Sequence, residues 1–241
     1  ATMTDVHAFD FGRIAFQASV WALPVLVAIT FHEAAHGFVA WRLGDSTARL
    51  LGRVSFNPFR HIDPFGTILL PALLLLASGG RLMFGYAKPV PVDFRRLGRP
   101  KRDMVLVAAA GPLVNLLLLA VSALMLKAVS ALPAAALGPA AEWAVLNLVN
   151  SAWINAVLAV FNLLPIPPLD GGRIAVGLLP ANAAQALARL ERIGIVLILG
   201  ALFLLPWLGQ AVGLDLNLFW WLVGAPAEYL VKAALALAGV R

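Results

Sequence analysis

Apolar residues recur along this chain in long runs separated by short basic or glycine- and proline-rich stretches. Five of them, Ile14 to Trp41, Met104 to Ala131, Trp143 to Leu164, about Ala184 to Leu208 and Leu216 to Leu237, reach the ~20 residues that a helix needs to cross a bilayer. A sixth run, Phe65 to Ser78, is shorter, is broken by Pro71 and closes on Gly79-Gly80, which predicts a re-entrant or interfacial element. Arg53 to Phe56 and Ala87 to Val92 have the β-branched character of edge strands, with Pro89 and Pro91 limiting unwanted pairing. The expected fold is all-α and integral to a membrane: five transmembrane helices plus a re-entrant, β-like membrane-associated segment. No break is long enough to separate domains, so residues 1–241 are expected to form one polytopic domain.

Composition agrees with the pattern. Of the 241 residues 61% are hydrophobic and 12% charged, with mean hydropathy +0.89, where soluble domains carry about 25% charged residues. The pI near 10.5 raises nucleic acid as a partner, but the basic residues flank apolar spans and do not cluster with aromatics on one face. They report topology instead. If Phe65 to Ser78 returns to the side it left, 16 of the 18 Lys and Arg fall on one face, leaving Arg13 and Lys127 opposite. Such a bias marks the cytoplasmic side, placing the N-terminus outside and the C-terminus inside. The first run lacks a small-residue cleavage pattern and is expected to stay in the membrane. There is no cysteine, which excludes disulfides and thiolate metal ligands.

The chemistry sits where lipid discourages it. His32, Glu33 and His36 lie inside the first apolar run. On a helix, positions four apart stack on one face, so the two imidazoles can reach one metal with Glu33 beside them. Each ionisable group at a helix centre costs roughly 2.5 to 3.5 kcal/mol on insertion scales, so three within one turn demand a compensating partner. A catalytic zinc takes three protein ligands and keeps a fourth position for water, which a neighbouring carboxylate can deprotonate. Glu33 is the expected base. The third ligand is expected from Asp170, because Pro165, Pro167 and Pro168 end the preceding helix, Gly171-Gly172 permits a tight turn, and chain parity returns this bend to the cytoplasmic end. His36 precedes Arg42 by about 9 Å along a helix, shallow enough for water to reach the metal.

Secondary candidates are weaker. Asn147, Ser151, Asn155 and Asn162 follow one helical stripe; the first three read as interhelical glue, whereas Asn162, one turn before the proline break, is placed to stabilise an oxyanion. Asn115 is able to contact the same region, with close helix packing at Gly111 the simpler use of that motif. His61 and Asp63 are a less convincing second metal pair, His7 is expected to be inert, and Arg189, Glu191 and Arg192 to snorkel at an interface.

Taken together, His32-Glu33-Ala34-Ala35-His36, Gly111-Pro112-Leu113-Val114-Asn115 and the Asn162 to Gly172 run with its Asn-x-x-Pro-x-x-Pro-Leu-Asp-Gly-Gly pattern make the chain resemble a site-2 protease family intramembrane zinc metalloprotease. The loop Asp45 to Pro64 and the stretch Gly85 to Val92 resemble the short bacterial members, which lack PDZ-like or CBS-like domains. The resemblance implies a three-helix catalytic core within about residues 14–173, with extra helices at about 184–238. It implies one zinc ion held by His32, His36 and Asp170, Glu33 as base, and Asn162 near the substrate or oxyanion. It further implies a transmembrane protein substrate, the lipid bilayer as surroundings and a bacterial inner (plasma) membrane location. A membrane metal-binding or metal-transport protein is the alternative from another class; transport needs no base beside the histidine pair.

Overall fold

The computed structural model describes residues 11–70, 73, 88–133 and 138–240. Nine α-helices are described: α1 (Phe11–Arg42), α2 (Thr47–Leu50), α3 (Pro100–Ser130), α4 (Pro139–Asn162), α5 (Asp170–Leu178), α6 (Ala181–Arg189), α7 (Glu191–Leu199), α8 (Leu205–Val212) and α9 (Ala225–Ala238), with wider π turns at Gly200–Leu204 and Trp220–Gly224. Among the described residues, five helical stretches are long and apolar enough to cross a membrane: Ala15–Arg42, Pro100–Ser130, Ala140–Asn162, Glu191–Gly209 and Trp220–Ala238.

The helices start and stop where backbone chemistry dictates. Proline occupies the first turn of α3 and α4, where its missing N–H costs nothing, and Gly239 closes α9 in the left-handed conformation at φ 73°. One expectation is corrected here. The fourth apolar run does not begin its crossing at Ala184, because Ala181–Arg189 is a separate helix and the span-length stretch starts at Glu191; the charges of Arg189, Glu191 and Arg192 hold that junction in a polar setting.

Helices α1, α3 and α4 pack pairwise, α5 lies on α3, and α9 rests on α3 and α4. Small residues make this close approach possible: Ala28, Ala152, Ala156, Ala159 and Ala227 are buried at the seams, as expected where van der Waals contact and not water expulsion joins helices. Leu113, Leu117 and Leu124 face outward. An apolar exterior over a partly polar interior suits lipid surroundings.

The strands expected at Arg53 to Phe56 and Ala87 to Val92 do not form among the described residues; both stretches are irregular, and Ala87 lies outside the described residues. Their backbone groups find other partners. The Arg53 guanidinium donates to the Lys88 carbonyl at 2.6 Å, and the Lys88 amide donates to the His61 carbonyl at 3.0 Å. Both stretches press on α1 beside the histidines, since a β-carbon at Gly37 would stand 3.0 Å from Val54 Cγ2 and 3.1 Å from Val90 Cγ1. Of the predicted re-entrant run, Pro64–Leu69 forms a π turn, whereas Ser78, Gly79-Gly80 and Gly85 lie outside the described residues, as does His7. The buried Asp45 ties the flanking loops together, its carboxylate accepting from the Thr47 and Asp93 amides at 3.0 and 2.7 Å.

Candidate metal centre

The four-residue spacing in α1 brings the rings of His32 and His36 edge to face, their Nε2 atoms 3.0 Å apart. Asp170, the first residue of α5, points Oδ2 at both, 3.2 Å from His32 Nε2 and 3.3 Å from His36 Nε2. All three residues are buried. Tight glycines place the carboxylate: a β-carbon at Gly171 would stand 2.2 Å from the Leu163 carbonyl oxygen, and one at Gly172 would stand 2.3 Å from Pro167 N.

Hydrogen bonds on the far side of each ring decide what the near side offers. His36 Nδ1 lies 2.7 Å from the Val107 carbonyl oxygen, which only accepts, so this nitrogen carries the proton. His32 Nδ1 lies 2.6 Å from Oδ1 of Asn115 and donates to it in the same way. Both Nε2 atoms therefore present lone pairs, and Asp170 Oδ2 presents another while accepting no hydrogen bond. Three acceptors facing one another in a buried site repel unless a cation lies between them. Zinc fits this set: with bonds of about 2.0–2.1 Å, the edge of a ligand tetrahedron is about 3.3 Å, close to the 3.0, 3.2 and 3.3 Å found here. His32, His36 and Asp170 also form the single such group of ligand atoms among the described residues.

A cavity of about 400 Å³ opens onto these atoms and is also lined by Glu33, Val90, Asn162 and Arg173. Glu33 Oε2 accepts the Val90 amide at 2.7 Å, which fixes the carboxylate at the cavity wall and leaves it further acceptor positions. Asn162 donates back to the Leu158 carbonyl at 3.0 Å, so one of its two amide protons is engaged within α4. His61 and Asp63 stay apart from the centre. The His61 ring bonds to the Ser55 carbonyl at 2.9 Å, and Asp63 caps the following turn through the Phe65 and Gly66 amides.

The sequence marked Val90 only as part of an expected strand, and did not single out Arg173 or the link of Asn155 to the centre. Val90 acts through its backbone, which no side-chain pattern reveals. Arg173 follows the Asp-Gly-Gly run directly and stacks over Phe94 at 5.5 Å. Asn155 was visible on the polar stripe, but its partner, Asn115, lies 40 residues away.

Known proteins resemble the chain in the same terms. Residues 125–206 match the family described as Peptidase family M50. The chain is 38% identical to the "Putative zinc metalloprotease YwhC" of Bacillus subtilis over 217 residues, covering 89% of this chain and 90% of that protein. It is 34% identical to the "Putative zinc metalloprotease Rip2" of Mycobacterium tuberculosis over 187 residues, 76% of this chain and 66% of that protein. The Rip2 protein of Mycolicibacterium smegmatis is 32% identical over 173 residues, 72% of this chain and 62% of that protein. No solved structure matches.

Proposed function

The chain belongs to peptidase family M50, the site-2 protease family, and on that premise we propose that it is a zinc metalloendopeptidase cutting peptide bonds within or next to transmembrane segments of membrane proteins. One observation carries the reading: the buried convergence of His32 Nε2, His36 Nε2 and Asp170 Oδ2 on the wall of a cavity that Glu33 shares.

In this mechanism His32, His36 and Asp170 hold the ion. When bound, zinc supplies Lewis acidity, lowering the pKa of water and polarising the scissile carbonyl. Glu33 takes the proton from the attacking water and delivers it to the leaving amine. Asn162 offers its remaining amide proton to the oxyanion. The low-dielectric surroundings strengthen each of these interactions.

The same reading places the site near the cytoplasmic face of a bacterial plasma membrane, with the C-terminus inside. Two hydrogen bonds support this. Gly98 donates to the Leu43 carbonyl at 3.0 Å, so the end of α1 and the approach to α3 meet on one side. The Lys88–His61 bond brings the chain back to where it left after residue 61, as a re-entrant Phe65 to Ser78 segment requires. Arg42, Arg99 and Arg102 surround that junction, in keeping with a cytoplasmic end.

The test is Glu33→Gln in the full-length protein in proteoliposomes with a transmembrane substrate. Cleavage is expected to vanish while the zinc content stays at one ion per chain; retained proteolysis would falsify the assignment of the base. A metal-transport protein would tolerate this change, so the same variant separates the two classes.

A further inference from the structure

Behind His32 runs a chain of side chains whose polarity is forced at every link. Asn155 Nδ2 donates to the Ser151 backbone carbonyl at 2.9 Å, an atom that only accepts, so Oδ1 of Asn155 must face the other way. There it accepts from Asn115 Nδ2 at 2.8 Å, which turns Oδ1 of Asn115 toward His32 Nδ1 at 2.6 Å. An oxygen at that point demands a proton on Nδ1, and a neutral imidazole protonated on Nδ1 keeps its Nε2 lone pair for a metal. Resting on the zinc-peptidase reading above, we propose that Asn155 is a positioning residue for that reaction: through Asn115 it selects the metal-binding tautomer of His32.

The surroundings give the two amides few other choices. Asn115 and Asn155 have 0% exposure, so neither can trade a partner for bulk water. A rotated Asn155 amide would aim an N–H at Asn115 Nδ2 and leave both donors unpaired, at a cost that buried polar groups do not sustain. A rotated Asn115 amide would present N–H to His32 Nδ1, drive the ring proton to Nε2 and close the metal position. Among the described residues the one other restraint on the Asn115 side chain is the Ala28 carbonyl at 3.4 Å from Nδ2, beyond the usual length of such a bond. Ser122 extends the chain by its 2.8 Å contact with Ser151 Oγ. The donors of His32, Asn115 and Asn155 all run away from the metal position, so their dipoles add.

The experiment compares wild type, Asn155→Leu and Asn155→Asp as full-length protein in detergent, with Asn155→Ala as a second apolar variant should the leucine protein not fold. The aspartate variant keeps an oxygen for the Asn115 amide to donate to, whereas the leucine variant does not. Zinc affinity is read by chelator competition, and the His32 tautomer by ¹⁵N chemical shifts of histidine-labelled apoprotein. The apolar variants are expected to bind zinc roughly 10- to 100-fold more weakly, the range for second-layer partners of histidine ligands, and to populate the Nε2–H tautomer. Asn155→Asp is expected to keep affinity within about threefold of wild type, with the Nδ1–H tautomer intact. The proposal is overturned if the apolar variants retain wild-type tautomer and affinity, or if the aspartate and leucine variants lose affinity equally with matching falls in melting temperature. Absence of zinc binding by wild type would defeat the peptidase reading instead, and the apoprotein shifts would still report on Asn155.

Discussion

The backbone of Gly111 lies directly against the imidazole of His36: a β-carbon there would stand 2.4 Å from His36 Nε2 and 2.6 Å from His32 Nε2. Helix α3 thus forms part of the wall of the proposed metal position itself. Gly111→Ala is expected to displace both rings and to abolish zinc binding and proteolysis, because the added methyl occupies the space where the two lone pairs converge. Overpacking costs about 1–3 kcal/mol, so the variant is expected to remain folded. Metal analysis checks this against Leu113→Ala, two residues on and facing outward, which is expected to keep its zinc.

Asn162 lines the cavity but makes none of the bonds that position the histidines. Asn162→Ala is therefore expected to lower kcat by about 10² to 10³, the usual loss of an oxyanion donor, with zinc stoichiometry and KM little altered. Parallel loss of zinc would instead make Asn162 a structural part of the bend before Asp170.

The bond from the Val90 amide to Glu33 makes a prediction that depends on the backbone alone. Val90→Pro removes the donor and is expected to reduce cleavage several-fold while leaving bound zinc unchanged, since the carboxylate loses its fixed orientation. Val90→Ala retains the N–H and is expected to stay near wild type. Equal activity in both would show that Glu33 needs no such anchor.

Local periodicity made the spans and the histidine pair legible, because a period of 3.6 residues ties sequence spacing to one face. That the Asp170 carboxylate meets the two histidines was legible through chain parity and the proline break. What escaped was set by packing between distant segments. The β-branched residues near Val54 and Val90 suggested strands, yet Pro89 and Pro91 withhold amides from any ladder, and the Arg53 side chain and Glu33 take up the backbone groups instead. Gly111 was read as a helix-packing residue, which it is, but the neighbours it admits are His32 and His36, the two proposed metal ligands. Asn147, Ser151 and Asn155 on α4 were read as glue between helices; Asn155 does bond across to Asn115 on α3, and that contact continues to His32, whereas the Asn147 amide donates within α4 to Trp143.

The last helices had no residue tying them to the site in the sequence, and Gly194 supplies one. A β-carbon at this position in α7 would stand 1.7 Å from the Pro167 carbonyl oxygen and 2.9 Å from Pro168 Cδ, so α7 packs backbone to backbone on the proline bend that delivers Asp170. The contact is with rigid main chain and cannot be relieved by a rotamer change. Either α7 moves outward or the bend moves toward the cavity. In Gly194→Ala the bend is expected to shift, weakening zinc binding at least several-fold through Asp170, while His32 and His36 keep their bonds to Asn115 and Val107. Chelator competition combined with the ¹⁵N shifts of the histidines separates these effects: weakened binding with unchanged tautomers assigns the loss to the carboxylate. Undiminished zinc affinity would mean that α7 alone gives way, and that the outer helices place no restraint on the third ligand.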